Sequence, residues 1–251
     1  MPITRICPLA AAVLIPRPET EILVDEALEL LKKQSSDLRP QASGAAEKAT
    51  ETTPSPYPLP SRERGEEAAA KKETTKRRVL DLCTGSGCIA IAIAAECAGA
   101  RVVGTDVSAA ALAVAAENAA AAGVTEKIRW LQGDLFAALE QLPAEERRFD
   151  LITANPPYIG EGELAGLMAE VRDHEPREAL IAGPTGLEII ERILAGGPGH
   201  LLPGGHLLME IGFEQVAAVR ARVVAVKDWE WVGSRKDFGG HERVVKLRIK
   251  N

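Results

Sequence analysis

The tetrapeptide Asn155-Pro156-Pro157-Tyr158 has the chemistry to hold one planar amino group. Proline fixes its own backbone angle and lacks an N–H, so two in succession leave the local carbonyls pointing outward with no neighbouring donor to claim them. The Asn155 side chain adds a further carbonyl acceptor. Together they offer two acceptors for the two hydrogens of an –NH2 group, and Tyr158 supplies an aromatic face beside it. An amide or aryl amino nitrogen is a poor nucleophile because its lone pair is delocalised. Holding both hydrogens aims that lone pair at an electrophile, and such alignment draws on the roughly 7–11 kcal/mol available from orientation. The same acceptors favour positive charge growing on nitrogen, and the tyrosine face adds cation–π attraction. No strong base is needed first, since the proton can leave after a methyl group arrives. The implied reaction is methyl transfer from the sulfonium of S-adenosylmethionine to an amino nitrogen. The alternative, a rigid proline turn, is disfavoured by the motifs upstream.

Those motifs would hold the cofactor. Asp81-Leu82-Cys83-Thr84-Gly85-Ser86-Gly87 joins an apolar strand to a helix. Gly85 and Gly87 let the backbone turn tightly and approach a ligand, and the helix N-terminus presents unpaired N–H groups. Asp106 ends the next strand, where its carboxylate could accept both hydroxyls of a ribose. Asp134 and Leu135 follow the third strand, a carboxylate and an apolar side chain suited to an adenine's amino group and face. The cofactor-binding set is therefore Cys83, Thr84, Gly85, Ser86, Gly87, Asp106, Asp134, Leu135 and Asn155. Alone, these segments also fit a nicotinamide dinucleotide: Gly85-x-Gly87-x-x-Ala90, with Asp106 about twenty residues on, matches that fingerprint. Asn155 to Tyr158 decides for the methyl donor.

The elements that must position these residues alternate strand and helix. Strands are expected at 78–82, 101–107, 128–131, 149–154, 205–211, 229–233 and 243–249, and helices at 87–97, 109–122, 185–195 and 214–226. That pattern predicts an α/β fold, a doubly wound, mostly parallel seven-stranded sheet of Rossmann-like methyltransferase type. The last two strands lack an intervening helix, so they should form an antiparallel, hairpin-like edge. One amphipathic helix precedes the sheet, with Thr20 as its N-cap and Ile22, Leu23, Ala27, Leu30 and Leu31 as its apolar stripe. Residues 32–78 carry Pro54, Pro56, Pro58 and Pro60 among Lys-, Glu-, Ala- and Thr-rich runs. Such a stretch buries too little apolar surface to offset its ordering entropy and reads as a disordered insertion. The domain plan is thus an N-terminal segment and helix at 1–31, the insertion at 32–78, and the methyltransferase domain at 79–251.

Composition narrows the class. The 251 residues are 46% apolar and carry a net charge of −6, so a sizeable core forms and the electrostatic footprint for gripping long nucleic acid is absent. Direct nucleic-acid binding is not expected. Cys7, Cys83, Cys88 and Cys97 form no CxxC pair, so no metal site is expected and reduced thiols in a cytoplasmic protein are. Pro8 interrupts the apolar run near the N-terminus, against a signal peptide, and no apolar stretch is long enough to span a membrane. His174, His200, His206 and His241 show no metal spacing, and Asp173-His174-Glu175 is read as structural. Trp130, Trp229 and Trp231 are read as packing residues, and a monomer is expected.

With these motifs in place the chain resembles the glutamine N5-methyltransferases of peptide chain release factors. The resemblance rests on Leu14-Ile15-Pro16-Arg17-Pro18-Glu19-Thr20-Glu21, the glycine loop, Asn155 to Tyr158, Glu175-Pro176, Ala179-Leu180, Pro203-Gly204-Gly205 and Glu210-Ile211-Gly212. It also rests on Asp237, Gly239-Gly240 and Glu242-Arg243-Val244. It implies S-adenosylmethionine as cofactor and, as partner, a class 1 release factor methylated on the glutamine of its Gly-Gly-Gln motif during translation termination. Asn155, Pro156, Pro157 and Tyr158 would be both catalytic and substrate-binding, and Arg17 and Glu19 would brace the cleft. The tetrapeptide alone is shared with adenine N6-methyltransferases, and glutamine methylation of a ribosomal protein is a related alternative. The family usually carries a helical docking domain before the Pro-Arg-Pro-Glu segment. About a dozen unrelated residues stand there instead, before Val13. A truncated cofactor-binding domain with little activity is therefore a further alternative, residues 1–31 being the remnant of a linker. Cys83 replaces a common glycine. Limited proteolysis is expected to nick residues 35–76 while the far-ultraviolet circular dichroism of the remainder persists; simultaneous loss of both would remove the inserted-segment reading.

Overall fold

Successive residues of a strand face opposite sides of a sheet, and the strands here sort their side chains that way. In β1 (Arg77–Leu82), Leu80 and Leu82 join one hydrophobic cluster while Val79 joins a second. In β4 (Phe149–Ala154), Ile152 and Ala154 face the first cluster and Leu151 the second. In β7 (Leu201–Glu210), Leu207 and Met209 face the first and Leu208 the second. Near the carboxyl ends of these strands the second face turns polar, with Asp81, Thr153 and Glu210 all buried. The computed structural model that shows this describes residues 18–37 and 76–250. The expected insertion falls, over residues 38–75, outside the described residues, as do Cys7, Arg17 and the segment before Pro18.

β2 (Ala100–Asp106), β3 (Ile128–Gln132), β8 (Trp229–Lys236) and β9 (Glu242–Ile249) complete a seven-stranded sheet ordered β3-β2-β1-β4-β7-β9-β8. The first five strands pair in parallel. β9 is antiparallel to both β7 and β8, so the hairpin-like ending is present with a particular placement. The reversed strand lies inside and β8 forms the outer edge. The crossover through α7 (Val216–Ala225) carries β8 one strand beyond β7, and the tight return at 237–241 lays β9 into the space between. The strand order changes direction between β1 and β4, and in open α/β sheets the ligand crevice lies at the carboxyl ends at such a switch point.

Helices α1 (Pro18–Asp37), α2 (Cys88–Glu96) and α3 (Ala109–Ala121) cover the Val79 face, while α6 (Glu188–Gly196) and α7 cover the other. Every residue of α2 from Cys88 to Ala94 is buried. A helix that is apolar all round belongs between two layers, and α1 packs over this one. Between β4 and α6 the chain adds elements too short to read from periodicity. These are a small parallel sheet of β5 (Ile159–Gly160) and β6 (Ile181–Gly183), with α4 (Ala169–His174) and α5 (Arg177–Leu180) between them. Among the described residues no helix is long and apolar enough to cross a membrane.

α1 buries Leu23, Ala27 and Leu31 at four-residue spacing, with Val24 beside them, much as its stripe predicted. The expected cap is corrected. The helix begins at Pro18, whose fixed φ suits a first helical position, so Thr20 lies inside the first turn and its hydroxyl donates to Glu210 instead. Lower on the same face Glu26, 2% exposed, holds Lys246 at 2.7 Å and Arg235 at 3.0 Å. Removing a buried ion-pair partner strands the others. Glu26→Ala should therefore lower unfolding free energy by about 2 kcal/mol in urea titration, below the usual range for buried pairs because Arg235 is half exposed. An unchanged midpoint would show that α1 is held by its apolar stripe alone.

Candidate active site

The carboxyl ends of β1, β2, β3 and β4 open into one cleft of about 1150 Å³, counted to its open mouth. The turn after β1 is its floor. Cys83, Gly85 and Gly87 all have positive φ, at 54°, 55° and 80°. A Cβ at Gly85 would meet no protein atom within 4 Å, so that position faces open space. One at Gly87 would come within 2.8 Å of the Trp130 ring, which packs beneath the loop. Cys83 adopts a left-handed conformation without glycine's freedom, which is why glycine suits this position. Burial, with Asp106, Asp81 and Asp134 nearby, pushes its thiol far above the ordinary range, so Cys83 is a neutral wall of the cleft rather than a nucleophile.

Three contacts fix the loop's shape. The Asp106 carboxylate accepts from the Gly85 N–H at 2.9 Å with one oxygen and from the Ser108 N–H at 2.9 Å with the other. Asn118 on α3 donates to the Ser86 carbonyl at 3.0 Å. Behind the loop, fully buried Asp81 accepts from the hydroxyls of Thr84 and Thr153 and from the backbone of Ala90 in α2. Gly87, the N-cap of α2, offers no side-chain cap, so Asp81 supplies the acceptor that the helix end lacks. Across the cleft Leu135 stands at φ 48°, and Asp134 is engaged by Arg192 at 2.6 Å.

β4 delivers Asn155 onto the same face as Leu151 and Thr153. Its Nδ2 donates to the Thr20 hydroxyl at 3.4 Å, and that hydroxyl donates to Glu210 at 3.1 Å. The Tyr158 carbonyl accepts from Gln215 Nε2 at 2.7 Å, which ties the end of the tetrapeptide to the segment before α7.

The structure brings Cys83, Thr84, Gly85, Ser86, Asp106, Asp134, Leu135, Asn155 and Pro157 to one cleft. Three expected residues do not line it. Gly87 sits at the base of the loop, Pro156 is buried, and half-buried Tyr158 packs against the larger hydrophobic cluster. Residues not singled out also line it: Thr20, Ile89, Val107, Pro176, Glu178 and Ile189. Thr20 and Pro176 had a signal, since both lie in the segments that carry the family resemblance. Glu178 had none, because α5 is a four-residue turn. Trp130 and Trp229 are packing residues as expected, Trp229 donating to the Leu194 carbonyl at 2.8 Å. His200 stacks on Phe136 with centroids 4.7 Å apart, and His206, pushed down to about 4 by burial and by Arg248 and Lys246, is neutral near pH 7.

Residues 79–174 match the family described as methyltransferase domain. The release factor glutamine methyltransferase of Cereibacter sphaeroides is 47% identical over 171 residues, covering 68% of this chain and 59% of that protein. The protein of the same name from Bordetella pertussis is 39% identical over 238 residues, covering 94% and 70%. The chain thus spans roughly three-fifths to seven-tenths of the length of these relatives. Two solved structures share the fold. The hMettl16 catalytic domain has a TM-score of 0.63 at 14% identity, covering 97% of this chain and 74% of that one. TrmN from Thermus thermophilus has a TM-score of 0.51 at 24% identity, covering 70% and 45%.

Asp81 makes the site's support sensitive to pH. Burial pushes its carboxyl up to about 6 from an ordinary 3.8, against the lowering effect of its hydrogen bonds. A raised carboxyl favours the protonated folded form, so its contribution is fully present below pH 3.8 and is lost as pH rises through about 6. Asp81→Asn keeps a neutral group of the same shape. Relative to wild type, the stability of this variant should rise by about 2 kcal/mol between pH 4 and 7, read from urea midpoints at each pH. Parallel curves would mean that the Asp81 charge is tolerated by the fold at no cost.

Proposed function

The chain belongs to the release factor glutamine methyltransferase family, and on that premise we propose that it transfers a methyl group from S-adenosylmethionine to the side-chain amide nitrogen of the glutamine in the Gly-Gly-Gln motif of a class 1 release factor. The observation that carries this reading is that Asn155 and Pro157 line the same cleft as Gly85, Asp106 and Leu135. A clamp for an amino group and a cradle for a nucleoside therefore share one space.

The residues present fit the cofactor. Open space at Gly85 admits a ligand against bare backbone, Asp106 keeps lone pairs for the ribose hydroxyls beyond its two backbone bonds, and Leu135 and Ile189 offer apolar faces to an adenine. Asp134 would share its carboxylate between Arg192 and the adenine amino group. When bound, the cofactor supplies an electrophilic methyl on sulfonium and leaves as S-adenosylhomocysteine.

The protein's own part is orientation and charge. The Asn155 side-chain carbonyl and one backbone carbonyl of the proline segment accept the two amide hydrogens of the glutamine. Its nitrogen lone pair then points at the methyl, and the positive charge that develops on nitrogen as the N–C bond forms is stabilised. Tyr158 packs beside this segment, with its carbonyl held by Gln215, and keeps it from shifting. The proton leaves to water after transfer, so none of the scattered histidines is required. The setting is cytoplasmic, where release factors act. The expected bounds 32–78 are corrected at both ends, since residues 32–37 continue α1 and residues 77–78 belong to β1, and the inserted segment proposed to lie outside this chemistry is residues 38–76.

Incubation with labelled S-adenosylmethionine and a release factor should place label on the Gly-Gly-Gln glutamine, with none after that residue is changed to alanine. Label in nucleic acid instead would overturn the reading. Asn155→Ala should leave cofactor affinity by calorimetry within about threefold while raising the barrier to turnover by about 2–4 kcal/mol, the loss of one acceptor made in the transition state. Collapse of cofactor binding would assign Asn155 to the cofactor rather than to the glutamine.

A further inference from the structure

An asparagine amide offers a carbonyl at one end and an –NH2 at the other, and a clamp for an amino group works only with the carbonyl forward. Rotation by half a turn about the last side-chain bond would present two donors to two donors. Something must therefore fix which end faces the cleft. The cleft residues of β4 and the glycine loop do not settle this, because among the described residues it is Thr20 that the Asn155 amide bonds.

Thr20 is 2% exposed, lines the cleft, and lies 135 residues from Asn155 in the chain. A hydroxyl has one proton. That of Thr20 goes to the Glu210 carboxylate at 3.1 Å, and Glu210 is 1% exposed. What Thr20 turns toward Asn155 is then a lone pair, which accepts only the Nδ2 end, at 3.4 Å. The direction of the chain Asn155 to Thr20 to Glu210 leaves Oδ1 as the end available to the cleft. We propose that Thr20, backed by Glu210, is a positioning residue that locks the Asn155 amide with its carbonyl toward the substrate. This rests on the reading of Asn155 as the glutamine clamp. It explains why a helix that precedes the sheet by some forty residues lies at the active site: α1 carries the hydroxyl that gives the clamp its polarity.

Thr20→Val keeps the shape and removes the hydroxyl. With the full chain and an intact release factor, kcat should fall about tenfold to a hundredfold, less than complete removal of the clamp's acceptor. KM for the release factor and cofactor affinity should stay within about twofold, since neither depends on the amide's direction. Thr20→Ser, which keeps the hydroxyl, should restore kcat to within about threefold of wild type. Thr20→Val added to Asn155→Ala should cost nothing further, because a positioning residue acts only through the group it positions. Wild-type kcat in Thr20→Val, or multiplicative losses in the double variant, would overturn the proposal. If Thr20→Val melts below the assay temperature, Thr20→Ala is measured in its place with the same expectations. A wild-type chain that methylates a substrate other than the release factor would refute the function proposed above. The Thr20 comparison would then be made on that substrate.

Discussion

A single buried carboxylate joins four pieces of this structure at the floor of the cleft. Asp81 ends β1, receives a hydroxyl from the glycine loop through Thr84, another from β4 through Thr153, and backbone from the first turn of α2 through Ala90. Thr153 stands two residues before Asn155, so the carboxylate that bonds the glycine loop also anchors the strand end that delivers Asn155 to the cleft. Burying a carboxylate is costly unless its lone pairs are filled, and here they are filled by groups that must each sit in one place. Displacing any of the four pieces would leave that cost unrelieved. The spacing between the glycine loop and Asn155 is therefore held where these strand ends meet at Asp81.

The second constraint comes from outside the sheet. α1 meets the polar end of the Val79 face at two heights, Thr20 to Glu210 and Glu26 to Lys246 with Arg235. Both use the alternation that puts Asp81, Thr153 and Glu210 on one side. The helix thus lines the cleft through Thr20, and the residues 15–21 that mark the family in the sequence include one that bonds Asn155.

Most of the framework was legible because its signals are local. The strand Phe149–Ala154 was read to the residue, since a short apolar run before two prolines has clear ends. The glycine loop, Asp106 and Leu135 were placed by their position after successive strands. What was not legible depended on partners far along the chain. Thr20 has the residue type and place of a helix cap, and only Glu210, 190 residues away, reveals its other use. β5 and β6 span two and three residues and carry no periodicity. The interior place of β9 follows from how α7 steps over the sheet, which no short window of sequence contains. Asp81 reads as one polar residue inside an apolar strand until Thr153 is brought beside it.

The bond between Lys246 and Glu26 joins residues 220 apart. A ribosome adding about 5–20 residues per second makes the helix some ten to forty seconds before its last partner. During that interval α1 is a nascent helix whose acidic face has neither Arg235 nor Lys246 to meet, and Thr20 lacks Glu210 for most of the same time. The parallel strands emerge and can pair in order, but the Lys246 partner of Glu26 on α1 arrives only when β9 leaves the exit tunnel. Synthesis itself thus orders how α1 is secured, at Thr20 once Glu210 has emerged and at Glu26 only after Arg235 and Lys246 follow.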